Sequence, residues 1–295
     1  MDLDLQYHKK QLDDKGYTII PDVYTQQDIN IYREEFNKWR TNTPDLDRLH
    51  NLIDYNGIYK HHRVGQQRFA WLARTNKKIQ DIFKYLWSTS DIVTSFDGCC
   101  YYPSDYIGAP SYWTHTDQAS TKKGVWCYQS FLSLTSNKSK TLVVYEYSHL
   151  LHEHYFKTMN IESDRDWNII EQAYSSKIVD NIKFLDVPAG ALVVWDSRLF
   201  HQNTCGNLDC MEERLIQYLC FLPRYDQKNT EEQNNKRHRY FNNMRTTSHW
   251  PYPLNAVPEQ PNVYNYRTTE KIGIDYNKLP KPELSDLIED IYKII

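Results

Sequence analysis

Several common features are missing from this chain of 295 residues. No apolar run approaches the roughly 20 residues needed to cross a bilayer. The N-terminal stretch MDLDLQYHKKQLDDKG mixes charges and lacks the apolar centre of a signal peptide, so a cytoplasmic location is expected. The six cysteines (99, 100, 127, 205, 210 and 220) contain no C-x-x-C pair, and the adjacent Cys99 and Cys100 are too constrained to bridge each other, which points to reduced thiols. Basic excess is absent as well. The formal net charge is −3, which argues against a nucleic-acid partner, and the runs KHHR (60–63) and KRHR (236–239) read as solvated stretches. There is no internal repeat and no low-complexity tract. Glycine is scarce, at 9 residues, against 24 tyrosines and 8 tryptophans. That aromatic load suits either an aromatic-rich β core or a stacking cleft.

The length allows one large domain or two small ones. A short helix is expected to end at Gly16, followed by a brief strand over YTIIPD (17–22). The segment 25–40 opens with a Thr25/Asp28 capping box and repeats apolar residues at Ile29, Tyr32, Phe36 and Trp39, which predicts an amphipathic helix. A second such helix is predicted where Ile79, Ile82, Phe83 and Leu86 share a face. From about residue 91 the pattern changes to short apolar runs broken by turn residues, among them SYWTHTD after a Gly-Ala-Pro turn, KTLVVYEYS, IKFLDVPAGALVVWD, LFHQN and RLIQYLCFLPR. Such a series suggests a mainly β fold with flanking helices, a double-stranded β-helix or jelly roll. After Arg224 the chain turns polar, and prolines 251, 253, 258 and 261 exclude a regular helix or central strand there. A final amphipathic helix is expected over KPELSDLIEDIYKII. The organisation read from this is an N-terminal helical flank (1–90), a β core (91–225) and a C-terminal strap or lid with the last helix (226–295).

Chemistry is carried by THTD. His115 and Asp117 are two apart, so in a strand both point to one side and can address one metal ion. The pair alone is a weak signal, since a chain with 11 histidines produces such neighbours by chance. His201, after the apolar strand and turn of AGALVVWDSRLFHQN, supplies a third ligand. Two histidines and a carboxylate form the facial set of non-haem Fe(II) oxygenases, although zinc accepts the same donors. Arg214 opens the next strand, and its guanidinium fork suits a carboxylate held beyond the metal. Gln129 lies on the strand after the His-x-Asp pair and could line the cavity or face outward. Trp113 could be cavity wall or core, and Trp195 reads as core. Asp196 and Arg198 read as a local ion pair that orients the loop carrying His201. His149, His152 and His154 are spaced so that no single regular element aligns all three, and they read as a loop with a helix start. The stretch RTTSHWPYP (245–253) reads as a packed strap, with a lid as the alternative.

Taken in order, KGYTIIPDVYTQQDI, SYWTHTDQ, VWCYQSFLSLTSNKSKTLVVYEYSHLLHEHYF and PAGALVVWDSRLFHQNTCGN…RLIQYLCFLPR give a chain that resembles the phytanoyl-CoA dioxygenase family over roughly residues 10–225. The resemblance implies His115, Asp117 and His201 as iron ligands and Arg214 as the clamp for the distal carboxylate of 2-oxoglutarate. Lys60 is a further co-substrate contact that the resemblance suggests. Asn203 stands where the family often has a small hydroxyl residue, and the interval from His201 to Arg214 is longer than usual. The implied reaction consumes Fe(II)-bound 2-oxoglutarate and O₂, with ascorbate as a reductant in vitro, and yields succinate, CO₂ and a hydroxylated substrate. The intact carboxylate of Asp117 favours hydroxylation over halogenation. Substrate identity and oligomeric state are not legible, and a small metabolite, a lipid-like acid, a sugar or a peptide side chain would all fit. The rival expectations are a cupin-like enzyme with another metal, a non-catalytic jelly-roll binding protein, and a peptide-recognition module.

Overall fold

The structure, a computed structural model, describes residues 3–53, 56–108, 111–207, 209–263 and 271–295. Two residues of the expected Gly-Ala-Pro turn, 109 and 110, lie outside that set. Mainly antiparallel strands accompanied by helices make up the chain, and it divides into two compact units. No helix among the described residues is long and apolar enough to cross a membrane.

The first unit comprises residues 1–22 and 102–214. Its opening helix, Leu5–Lys15, is capped by Asp4 and stopped by Gly16, whose φ of 88° is the left-handed conformation that glycine adopts without a Cβ penalty. The chain then enters the strand Tyr17–Ile20, which pairs antiparallel with Leu192–Asp196, and that strand pairs antiparallel with Tyr128–Ser133. All five residues of Leu192–Asp196 and all six of Tyr128–Ser133 are buried, so both faces of these strands are covered, including the polar Gln129, Ser130, Ser133 and Asp196. A second group runs Asn168–Ile169, His115–Thr116, His201–Asn203, Leu142–Tyr145 and Ile182–Phe184 in spatial order, each neighbour antiparallel. The expected strand over 182–196 is therefore two strands, split by the turn at Gly190 (φ 82°) and assigned to different groups. Both groups carry short strands; the one holding His115 has only two residues.

The histidine-rich stretch is corrected by the structure. His149, His152 and His154 lie within one helix, Ser148–Met159, rather than in a loop. His149 and His152 sit three apart on its buried side, and His154 bonds the Tyr174 hydroxyl at 3.0 Å instead.

The second unit comprises residues 23–101 and 215–295. Helix Gln26–Asn42 carries the Thr25/Asp28 capping box and buries Ile29, Tyr32, Phe36 and Trp39, as its periodicity predicts. Helix Lys77–Trp87 buries Ile79, Ile82, Phe83 and Leu86, each contributing about 1.5–3 kcal/mol of apolar transfer. Helices Leu46–Ile53, Arg68–Arg74 and Glu231–Asn242 were not anticipated. The last has no apolar stripe to betray it. Its one buried residue is Arg237, whose guanidinium donates to Asn234 Oδ1, Asn229 Oδ1 and the Pro251 carbonyl. The closing helix is shorter than expected, Ile288–Tyr292, because turns occupy the preceding residues. In the 245–253 stretch Trp250 and Tyr252 are buried, and Thr247 bridges Ala256.

Candidate metal centre

Register brings the candidate ligands together. His201 is the direct cross-strand partner of His115, and two-residue periodicity puts Asp117 on the side of His115. The turn between Leu192–Asp196 and His201–Asn203 is fixed by a forked ion pair, with Arg198 Nε 3.0 Å from Asp196 Oδ1 and Nη2 2.7 Å from Oδ2. That is the local role read for Asp196 and Arg198. The loop after Asp117 is tied down as well: Gln118 Nε2 donates to the Lys122 and Gly124 carbonyls, and its Oε1 accepts from Ser197 Oγ at 2.8 Å.

One ligand atom from each of His115, Asp117 and His201 falls within 4.8 Å of the others, the sole such group of three or more His, Cys, Asp or Glu among the described residues. All three side chains are about 5% exposed. His115 Nδ1 donates to the Trp113 carbonyl at 3.0 Å, and His201 Nδ1 donates to the Leu199 carbonyl at 2.9 Å. A carbonyl only accepts, so the proton of each neutral ring belongs on Nδ1 and the lone pair on Nε2. Those two Nε2 atoms lie 3.5 Å and 3.3 Å from the same oxygen, Asp117 Oδ2. Two lone pairs facing a carboxylate oxygen in a buried site repel one another unless a cation sits among them. The donor set and its orientation therefore fit a divalent metal. Burial holds His201 below the ordinary imidazole range and the adjacent His115 adds to that, with Asp117 working in the opposite direction. A depressed value favours the neutral ring, which is the form that ligates.

Around the three, Trp113 stacks on His115 with centroids 4.9 Å apart, and its indole N–H donates to the Asn203 carbonyl at 3.0 Å. Trp195 is buried core, 5.3 Å from the His201 ring. Gln129 Nε2 donates to Asp117 Oδ2 at 3.0 Å, while its buried Oε1 has no protein hydrogen-bond partner. Gln129 therefore faces the triad.

Arg214 is 1% exposed, stands over the Phe131 ring, and donates from Nη1 to the Thr141 carbonyl (3.2 Å) and from Nη2 to Asn203 Oδ1 (2.9 Å). Asn203 thus touches the guanidinium itself. Lys60 belongs to the second unit, where it is exposed. Trp167 was missed: it is 53% exposed, and its ring centroid lies 5.7 Å from that of His115. Only the pairing of Asn168–Ile169 with the His115 strand reveals it, and that two-residue edge strand has no sequence signature.

No family model matches the chain. The Ava biosynthesis cluster protein O of Aspergillus versicolor is 26% identical over 191 residues, 59% of this chain and 61% of that relative, so the match spans about three-fifths of the relative's length. Among solved structures, EctD from S. alaskensis with bound Fe gives a TM-score of 0.51 at 14% identity, over 74% of this chain and 76% of that one. The epimerase SnoN in complex with Fe3+, alpha ketoglutarate and nogalamycin RO gives 0.53 at 14% identity, over 74% and 83%. AviO1 from Streptomyces viridochromogenes gives 0.52 at 14% identity, over 76% and 97%. At these identities the likeness is one of fold. The chain shares the fold of these structures, of which EctD is described with bound Fe and SnoN in complex with Fe3+ and alpha ketoglutarate.

Proposed function

We propose that the protein is an Fe(II)- and 2-oxoglutarate-dependent dioxygenase that hydroxylates a small molecule or side chain and releases succinate and CO₂. The observation that carries this reading is the convergence of two Nδ1-protonated imidazoles and one carboxylate on a single buried point. In the same reading the strands of residues 91–225 form a double-stranded β-helix, with 1–90 and 226–295 as flank and strap.

His115, Asp117 and His201 would hold the iron, which together with 2-oxoglutarate and O₂ supplies the oxidising power. Asp117 offsets half of a divalent charge, and Gln129 fixes its Oδ2 by donating a hydrogen bond to it. Trp113, anchored to the neighbouring strand, restrains the ring of His115 by stacking. Arg214 is the cation for the distal carboxylate of the co-substrate. A guanidinium carries five N–H donors, so its bonds to Thr141 and Asn203 orient the fork without using it up. Asn203 then serves as the group that aims Arg214.

The test is succinate formation from 2-oxoglutarate with Fe(II) and ascorbate in air, together with anaerobic 2-oxoglutarate binding to the Fe(II)-loaded protein. Fe(II)-dependent binding should be present in the wild type and absent from His115→Ala/Asp117→Ala. Arg214→Met should weaken 2-oxoglutarate binding at least about tenfold and leave metal affinity intact, since a bidentate carboxylate contact is lost while the ligands stay. Tight zinc binding without any 2-oxoglutarate binding would replace this reading with a cupin-like metalloenzyme. Absence of metal binding would replace it with a binding protein.

A further inference from the structure

The register that joins Asn168–Ile169 to the ligand strand has a consequence for substrate choice. His115 faces Ile169 and Thr116 faces Asn168, and Trp167 directly precedes this paired stretch, with its ring centroid 5.7 Å from that of His115. Residues two apart share a side, which puts Trp167 and Ile169 on the side of the sheet that carries His115 and Asp117. Both are exposed, at 53% and 40%. A large apolar pair bordering a buried triad differs from an isolated surface hydrophobe, because it lies on the same side of the sheet as the triad and next to His115.

That edge is held rigid. Asp166, next to Trp167, accepts from the Ala119 N–H at 3.1 Å and from Lys122 Nζ at 2.7 and 2.8 Å. Ser163 N–H donates to Ser120 Oγ, and Ser120 N–H donates to the Ser163 carbonyl. Asn168 Nδ2 donates to the Arg165 carbonyl at 2.6 Å. Ser163, Asp166 and Asn168 thus turn their polar side chains back onto the protein, with the carboxylate beside the indole committed to Lys122, while Asp164 and Arg165 are exposed. The carboxylate and the amide that flank the indole, those of Asp166 and Asn168, are therefore already engaged within the protein. The surface offered beside the triad is an indole and a branched aliphatic chain, already ordered before anything binds.

We infer that Trp167 is a specificity-determining residue, and that the substrate is a small molecule bearing a neutral, planar hydrophobic ring that lies against this indole. This rests on the oxygenase reading for the chemistry, while the ring-binding surface is a property of the sheet edge itself.

The experiment uses indole and 2-naphthol as probes, with choline and glucose beside them. Equilibrium dialysis measures their binding to the full-length protein, both metal-free and loaded with Co(II) and 2-oxoglutarate. Trp167→Ala should weaken the two ring probes about tenfold, the loss of one stacking partner, and Trp167→Phe should restore most of it. Co(II)-dependent 2-oxoglutarate binding should be equal in all three proteins. Tyr225→Ala, removing an 80% exposed aromatic of the second unit, should bind the probes as the wild type does. Four results would overturn the inference: no ring binding by the wild type, ring binding unchanged in Trp167→Ala, an equal loss in Tyr225→Ala, or Trp167-dependent capture of choline or glucose instead. Failure of Co(II)-dependent 2-oxoglutarate binding in the wild type would sink the oxygenase reading alone, because the metal-free arm still decides the role of Trp167.

Discussion

Two pairs of buried histidines in the first unit have opposite fates. His115 and His201 donate from Nδ1 to backbone carbonyls and direct Nε2 at Asp117. His149 and His152 do the reverse. Their Nε2 atoms bond the carbonyls of Asp13 and Gln118, at 3.0 and 2.9 Å, and their buried Nδ1 atoms have no partner. His149 Nδ1 is pressed against the chain turn: a Cβ on Gly16 would lie 2.6 Å from it. The helix pair therefore acts as packing that pins the N-terminal turn and the loop after Asp117. Burial and a fixed tautomer are common to both pairs. What separates the candidate ligand pair from the packing pair is a carboxylate at the free nitrogens and a strand register that brings all three to one side.

The comparison is broken most severely at Asp117. Asp117→Ala should lower Co(II) or Fe(II) affinity by about a hundredfold or more by calorimetry, since it leaves two neutral rings and no counter-charge. His149→Leu should leave that affinity within about twofold while costing roughly 1–2 kcal/mol in urea unfolding, from the lost bond to Asp13 and imperfect packing. Equal losses of metal affinity in both variants would mean that the helix pair takes part in the site. A smaller effect is expected one step out, at Gln129. Gln129→Leu removes the donor to Asp117 Oδ2 and should weaken metal binding about tenfold, the usual range for partners of a ligand. Unchanged affinity would show that the backbone alone orients Asp117.

Legibility in the sequence followed the length of the element carrying each residue. Helix Gln26–Asn42 announced itself by its capping box and repeating apolar face and helix Lys77–Trp87 by its apolar face alone, and both were found where expected. His115, Asp117, His201 and Arg214 were singled out from residue type, two-residue spacing and order along the chain, because ligand chemistry is local to short segments. What stayed hidden depends on contacts remote in sequence. Helix Glu231–Asn242 is organised around a buried arginine and shows no apolar period. The tie between Asn203 and Arg214 needs residues from strands of two different sheets to meet. Trp167 joins the site through a strand of two residues, too short for any propensity to register. The histidines of 148–159 misled for a related reason: their spacing was judged against a shared metal, whereas a helix needs only two of them on its inner side.

The smallest expected effect concerns the packing pair and pH. Burial pushes His149 and His152 below the ordinary imidazole value, and in the second unit it brings His50 to about 3 and His62 to about 4. In the unfolded chain these rings titrate near 6.5, so below about that pH the unfolded state binds more protons than the folded one. Their contribution to stability is complete above about pH 6.5 and is lost as the pH falls towards the folded values, at up to about 1.4 kcal/mol per pH unit for each ring. His152→Gln removes one titrating ring while keeping an amide N–H able to reach the Gln118 carbonyl. The absolute stability of this variant is secondary to its slope. Between pH 6.5 and 5.5, urea unfolding of the wild type should lose more stability than that of His152→Gln, by at most about 1 kcal/mol. Parallel slopes would mean that the folded protein protonates His152 as readily as the unfolded chain does, and that its buried, unpartnered Nδ1 gains a proton without opening the helix.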